Sequence, residues 1–412
     1  MRAGPAGVAD RRVTTALRVR YRLTPWWAKV IVVFVASRIV TTSILLFYAA
    51  RQQANAWTGP NPDYFDFASI WDGHWYYIIS VVGYPTELPL TTDGHVGESA
   101  WAFMPAYPAI VRLLMFVTGL DFPILAVVVS VGFALGAALM FYRLMHLVLP
   151  GGTALFSVVL FCFAPLSPIL QVSYAESMHA FLLILALYLL VQRRYWMLIP
   201  VIAVMSLTRP SGLAFALAML LHVGHRWFVR GREDFPVRER VASVTVGLFS
   251  AFMGLAWVLV AWSLTGSMTA YTDTELAWRA AYVGYGELLP FSPWIQAAGF
   301  WAPWWGIPTW LLLVILGAGI AAFAAFLFTP WMRRLGVDLR FWVASYALYL
   351  LAVFFPQSST FRLLLPLFPA LGAIAQPRSR IYRVALVLAF IAVQVAWVHI
   401  AWWVDGYDWT PP

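Results

Sequence analysis

The chain has 412 residues, of which 62% are hydrophobic, 17% aromatic and only 11% charged, with a mean hydropathy of +0.77. Soluble globular domains run roughly 45–50% apolar and about 25% charged, so an ordinary soluble fold is excluded and an all-α polytopic membrane protein is predicted. The formal net charge of +9 would point to nucleic acid in a soluble domain; here it concerns the side of the bilayer on which each basic residue sits, and no nucleic-acid partner is expected.

A bilayer core takes about 20 apolar residues per helical span. The first such run, residues 26–50, follows Arg11, Arg12, Arg18, Arg20 and Arg22, which predicts an uncleaved anchor with residues 1–25 cytoplasmic. Further runs fall near 122–148, 153–170, 174–192, 195–208, 212–225, 241–265, 307–330, 341–355, 363–376 and 384–403. The sum is about 11 spans. The clusters Arg193–Arg194, Arg226–Arg240, Arg333–Arg340 and Arg378–Arg383 then all fall on the cytoplasmic side. Most acidic residues fall outside, as do two long loops, 51–121 and 266–306. With no tandem repeat or low-complexity tract, residues 1–412 read as one integral membrane domain. The single cysteine, Cys162, lies in an apolar run, which excludes a disulfide framework and cysteine-based metal sites.

The first outer loop begins PNPDYFDFASIWDGHWYYIISVVGYP. The spacing predicts an amphipathic helix over 67–82, with Trp71, Trp75, Ile78 and Ile79 on one stripe and Asp72 and Tyr76 on the next. Such a helix lies in the outer interface with its tryptophans among headgroups. Asp72, mid-helix between Trp71 and His74, is then either a carboxylate that takes a proton from an acceptor hydroxyl or a solvated residue on the polar face. Asp63 and Asp66 are candidate N-caps. A divalent cation among Asp63, Asp66 and Asp72 is chemically reasonable, although no ligand pattern specifies one, so no obligatory cofactor and no metal residue is predicted. Downstream, the segment around Glu98, Trp101, Phe103, Pro105 and Pro108 is too short and broken to span; Glu98 is either a second catalytic or acceptor-binding carboxylate or an exposed loop residue.

Charges that break the topology rule are the most informative, because ionisable groups near the bilayer core are costly. Glu176 follows Tyr174 at the outer start of a span, Arg209 precedes a Pro-Ser-Gly helix break, and Arg362 sits at another break. Two outer arginines near helix breaks suit a lipid phosphate, since the guanidinium fork matches its oxygens. The alternatives are snorkelling to headgroups or pairing with Glu176. Arg38, inside the first run, reads as structural. Zinc-hydrolase, P-loop, dinucleotide-binding and serine-hydrolase motifs are all absent from the sequence.

These residues resemble a known family. Trp71-Asp72, then Tyr76 or Tyr77, Ile78, Gly83-Tyr84, and further on Glu98, Ala100, Ala102-Phe103, Pro105 and Pro108 resemble the first luminal loop of the PIG-V family, the second mannosyltransferases of glycosylphosphatidylinositol assembly and their bacterial relatives. Ser173-Tyr174-Ala175-Glu176-Ser177 resembles the family's Ser-x-x-Tyr-Ser-Glu-Ser stretch, Arg209-Pro210-Ser211-Gly212 its Arg-x-Asn-Gly, and Phe361-Arg362-Leu363 a late arginine motif. Ser211 in place of Asn and Ala175 in place of Ser are departures. The resemblance covers about residues 38–365 and implies a bundle of the GT-C glycosyltransferase class that inverts the anomeric carbon. It further implies a polyprenyl-phosphate sugar as donor, mannose by family, and a glycolipid or glycan acceptor among membrane lipids. On that basis Asp72 is the catalytic base, and Arg209 and Arg362 hold the donor phosphate. Trp71, Trp75, Tyr76, Glu98, Tyr174 and Glu176 bind substrate, with Trp75 and Tyr76 stacking on sugar faces. One lysine, Lys29, against 26 arginines suggests a GC-rich bacterial genome, and so a bacterial plasma-membrane enzyme with an extracytoplasmic site. A transporter of polyprenyl-linked sugars and a noncatalytic subunit of an envelope glycan machine are the competing expectations.

Overall fold

The computed structural model describes residues 23–286, 289–404 and 411. The N-terminal arginines Arg11 to Arg22 lie outside the described residues. Those described form helices and loops, with one isolated antiparallel bridge, Leu90 to Val96, and no β-strand. That is the expected outcome where the solvent offers backbone groups no partner.

In chain order the main helices are α1 (Trp26–Ala49), α2 (Asp72–Val81), α3 (Ala106–Thr118), α4 (Phe122–His146) and α5 (Gly151–Phe163). Next come α6 (Glu176–Val191), α7 (Tyr195–Ser206), α8 (Gly212–Val229), α9 (Val237–Thr265) and α10 (Ala270–Ala277). The last four are α11 (Pro293–Trp304), α12 (Thr309–Leu327), α13 (Val337–Val353) and α14 (Arg380–Trp397), the last continuing as a π-helical turn, Val398–Trp402. Prolines mark several starts: Pro25, Pro150, Pro236 and Pro308 each stand just before a first helical residue, where a missing N–H costs nothing.

Among the described residues, six helices are long and apolar enough to cross a membrane: α1, α4, α8, α9, α12 and α14 with its π-turn. The count of about 11 is therefore not reproduced by length. α6 has 16 residues and α7 has 12, about 24 and 18 Å at 1.5 Å per residue, short of a core of about 30 Å. The run at 363–376 is not one helix. Pro366 and Pro369 divide it into the short pieces Thr360–Leu363, Leu365–Leu367 and Pro369–Ile374.

The innermost element is α6, buried along nearly its whole length and packed between α4 and α7. α12 is the opposite case, with none of its apolar window buried inside the chain. Arg38 is structural, as expected: its guanidinium donates to the carbonyls of Cys162 and Ser167, each at 3.1 Å, and so caps the carbonyl end of α5.

The crossing of α8 and α9 fixes one side of the site. A Cβ on Gly212 would lie 2.6 Å from the Gly254 nitrogen, and one on Gly254 would lie 2.7 Å from the Leu213 nitrogen. The helices thus meet backbone to backbone, and Ser250 Oγ donates to the Gly212 carbonyl at 2.8 Å. The helix break after Arg209 is a packing device that brings the α8 start against α9. Gly212→Ala or Gly254→Ala forces backbone apart and is expected to cost about 1–3 kcal/mol. Thermal unfolding of the full chain in nanodiscs should show lowered Tm for both, while Gly224→Ala, with nothing within 4 Å of its added Cβ, should leave Tm unchanged.

Candidate active site

The path to Asp72 starts with a short turn, Tyr64–Phe67, capped by Asp63, whose carboxylate accepts the Asp66 N–H at 2.9 Å. The chain then breaks. Trp71 has φ 58 and ψ −123, a conformation that a bulky side chain rarely adopts. This break corrects the continuous helix expected over 67–82: Asp72 is not mid-helix but the first residue of α2, where the helix dipole favours a carboxylate. The tryptophan stripe is also redistributed. Trp71 is buried beside Trp57, ring centroids 5.4 Å apart, and Trp75 stacks on Phe103 at 5.6 Å. The buried face of α2 is Gly73, Tyr76, Ile79 and Ser80.

The loop is docked on the segment that leads into α6. Ser173 N–H donates to the Ala68 carbonyl at 2.9 Å, the Ser69 and Ser173 hydroxyls are 2.7 Å apart, and Trp402 Nε1 donates to the Phe67 carbonyl at 2.9 Å. Asp72 N–H donates to the Tyr174 hydroxyl at 3.1 Å. Gly73 is needed for this approach, since a Cβ there would already lie 3.4 Å from Ser173. Tyr174 is fully buried and also lies under the Arg362 guanidinium, 5.3 Å from ring centroid to Cζ.

Four charges converge here. Arg362 Nη1 pairs with Asp72 Oδ2, and Arg209 Nη2 pairs with Glu176 Oε1. The pairs are cross-linked: Arg209 Nη2 lies 3.6 Å from Asp72 Oδ2, and Arg362 Nε lies 3.4 Å from Glu176 Oε1. Side-chain exposure is 15% for Asp72, 6% for Glu176, 16% for Arg209 and 9% for Arg362, so this is a desolvated cluster of two positive and two negative groups. It is incompletely satisfied. Glu176 Oε2, Arg209 Nε, Arg362 Nε and the Tyr76 hydroxyl are buried with no hydrogen-bond partner, and buried polar atoms are rarely left so without a reason. Burial raises the pKa of Tyr76, with the four charges as smaller influences, so its buried hydroxyl stays a protonated donor.

Of the residues singled out in the sequence, Asp72, Tyr76, Tyr174, Glu176, Arg209 and Arg362 are brought together. The Tyr76 ring packs edge-on against Phe103 and Tyr107, so its hydroxyl rather than its face is offered to a ligand. Trp75 stands beside the cluster with one face on Phe103. Trp71 acts through the backbone turn that presents Asp72. Glu98 is exposed, and no ion pair joins it to the four charges. Among the described residues, no three His, Cys, Asp or Glu side chains converge to hold a metal ion.

Sequence reasoning missed two parts of the surroundings. His179, one turn beyond Glu176, lies 2.9 Å through Nε2 from the Ser211 hydroxyl, a second tie between the elements that carry Glu176 and Arg209. From the second long loop, Glu275 and Arg279 form a pair at 3.8 Å, and Trp278 beside them packs edge-on against Trp75 at 5.6 Å. The readable signal was a glutamate four residues before an arginine on the outer side.

No family model and no curated protein matches the sequence. In backbone the chain is similar to an oligosaccharyltransferase of Archaeoglobus fulgidus tethered to an acceptor peptide containing the NVT sequon. That match has a TM-score of 0.45 at 12% identity and covers 90% of this chain and 54% of that one. It is likewise similar to archaeal oligosaccharyltransferase AglB from the same organism, in complex with an inhibitory peptide and a dolichol-phosphate. The TM-score there is 0.38 at 12% identity, covering 91% of this chain and 50% of that one. The chain spans about half the length of these proteins.

Removing one partner of a buried pair strands the other. Glu176→Gln and Arg209→Gln are each expected to destabilise the fold by about 3–5 kcal/mol. The double variant should lose less than the sum of the two. A double-mutant cycle on nanodisc-embedded protein should give a coupling of at least about 1 kcal/mol, and additive losses would show that the pair does not act as a unit.

Proposed function

We propose that the chain is a membrane glycosyltransferase of the GT-C class that moves a hexosyl group, mannosyl by family resemblance, from a polyprenyl-phosphate sugar to a lipid or glycan acceptor on the extracytoplasmic face. The observation that carries this is the buried cluster itself: two arginine forks and a protonated tyrosine hydroxyl, each with unused polar atoms, next to a carboxylate at the end of an apolar bundle. A lipid phosphate supplies the oxygens those donors lack, and its polyprenyl tail belongs in the bilayer. The sorting of Arg193, Arg226–Arg240 and Arg333–Arg340 to the other end supports an extracytoplasmic site.

In this scheme the donor is a phosphodiester with one negative charge. Its oxygens take hydrogen bonds from Arg209, Arg362 and Tyr76. That draws Arg362 away from Asp72 and leaves the carboxylate free to act as a base. An acceptor hydroxyl oxygen attacks the anomeric carbon from the face opposite the phosphate, and its proton passes to Asp72. The C1–O bond to phosphate breaks with its electron pair on the phosphate, where the arginines stabilise the added negative charge. The new glycosidic bond has inverted configuration. Glu176 holds Arg209 in place throughout, with Tyr174 fixing the Asp72 backbone and the Arg362 plane.

Transfer from radiolabelled polyprenyl-phosphate mannose to extracted membrane lipids, measured on purified protein in nanodiscs, tests the base. Asp72→Asn deprives Arg362 of its ionic partner and should lower Tm, yet, assayed below that Tm where it is folded, it should lose at least about 100-fold in rate. Wild-type turnover in that variant would overturn the assignment. If label instead crosses sealed vesicles without being transferred, the protein is a transporter and Asp72 a binding residue.

Because two arginines do the charge stabilisation, no metal step is needed. Activity should persist in EDTA. Loss in chelator, with recovery on adding a divalent cation, would require a different arrangement.

A further inference from the structure

The second long loop presents a face toward the site that the scheme above leaves unused. Helix α10 is fastened to the first loop by the Ser99 and Thr274 hydroxyls, 3.1 Å apart, and buries Ala270, Thr274 and Ala277. Glu275, Trp278 and Arg279, three and four residues apart, lie on one side of this helical stretch. The Glu275 side chain keeps 30% of its exposure and lies 3.8 Å from Arg279. Trp278 is set edge-on to Trp75 at 5.6 Å and to Phe103 at 6.0 Å, and its buried indole N–H has no partner.

A carboxylate, a guanidinium and an unpaired indole N–H around aromatic edges are what a polyhydroxylated ring is recognised by. Hydroxyls donate to the carboxylate and accept from the other two, while apolar ring faces lie on aromatic surface. In the scheme above the donor's anomeric carbon lies between the phosphate held by Arg209 and Arg362 and the Asp72 carboxylate, so its ring reaches the part of α2 where Trp75, one turn after Asp72, meets Trp278.

We propose that Glu275, Trp278 and Arg279 form the wall that reads the hydroxyls of the donor hexose, and so determine which polyprenyl-phosphate sugar is used. This rests on the glycosyl-transfer scheme above. It is distinct from the phosphate clamp, because a donor without its sugar does not touch it.

That difference is the test. Equilibrium binding to the full chain in nanodiscs is measured with two radiolabelled probes of equal chain length, polyprenyl-phosphate mannose and bare polyprenyl phosphate. Glu275→Gln should weaken binding of the first on the order of 10- to 100-fold and of the second by less than about 2-fold. Trp278→Phe, which keeps a ring and removes the N–H, should show the same selectivity and serves where Glu275→Gln does not fold. Arg362→Lys should weaken both. With polyprenyl-phosphate glucose as a third probe, discrimination between the epimers should fall in Glu275→Gln. Equal weakening of both first probes, or no change in either variant, overturns the wall alone. Failure of the wild type to bind either probe overturns the glycosyl-transfer scheme and the wall with it.

Discussion

Asp72, Glu176, Arg209 and Arg362 come from four separate parts of the chain, yet they meet within one desolvated cluster. Four charges taken out of water are affordable only together, because each carboxylate is the solvent of an arginine and the reverse. That constraint accounts for much of the architecture near the site. The α8–α9 glycine crossing sets Arg209, the Ser173 contacts set the first loop, and Tyr174 sits between the Asp72 backbone and the Arg362 plane. A bundle held only by apolar packing would tolerate slippage between these elements; a four-charge cluster does not, since a shift of an ångström or two leaves a charge without its partner.

The other end of α8 provides an internal comparison. There His222 Nδ1 lies 2.7 Å from Asp338, its Nε2 lies 2.8 Å from the Tyr195 hydroxyl, and that hydroxyl donates to Glu239 at 3.0 Å. Arg226 is buried and bonds to Glu233 and Glu239. None of these side chains is among those with a buried atom lacking a partner. This network ties α7, α8, α9 and α13 and is complete, which is what a structural clamp requires. The Asp72 cluster, with each of its four side chains at 16% exposure or less, is incomplete. The contrast separates a network that holds helices together from one that retains donors and acceptors for something else.

Much of this was legible in the sequence because membrane insertion filters charge so strictly. Once apolar runs were marked, Glu176, Arg209 and Arg362 stood out as violations of the topology rule, and burial is the physical reason the violations are informative. The same filter identified Arg38 but could not say which carbonyls it would cap. Trp71 was not legible in this way. Its φ of 58 is a choice usually left to glycine, so a wheel drawn through 67–82 placed Asp72 in mid-helix and Trp75 in headgroups. The apolar runs of α6 and α7 read as spans, whereas the helices themselves have 16 and 12 residues; α6 is buried nearly throughout and α7 keeps an exposed face with Trp196 and Met197. The second-loop wall left only a weak trace, the i,i+4 pair of Glu275 and Arg279, because exposed pairs of that kind are common on any helix.

The break at Trp71 and the incomplete charge cluster belong to one design. A strained residue persists only where its surroundings over-determine it, and here the surroundings are Trp57 against the indole, Ser173 against Ala68 and Tyr174 under the Asp72 N–H. The strain turns α2 so that its first residue, not its middle, meets the arginines. The pair of Asp72 with Arg362 forms at that helix start, and on the proposed scheme the donor phosphate would take over the arginine. A carboxylate in mid-helix would lack that geometry, since its neighbours one turn on either side would stand between it and the two guanidinium groups. On the proposed scheme, the unusual backbone at Trp71 is the local condition under which the ion pair of Asp72 with Arg362 would also serve as a base.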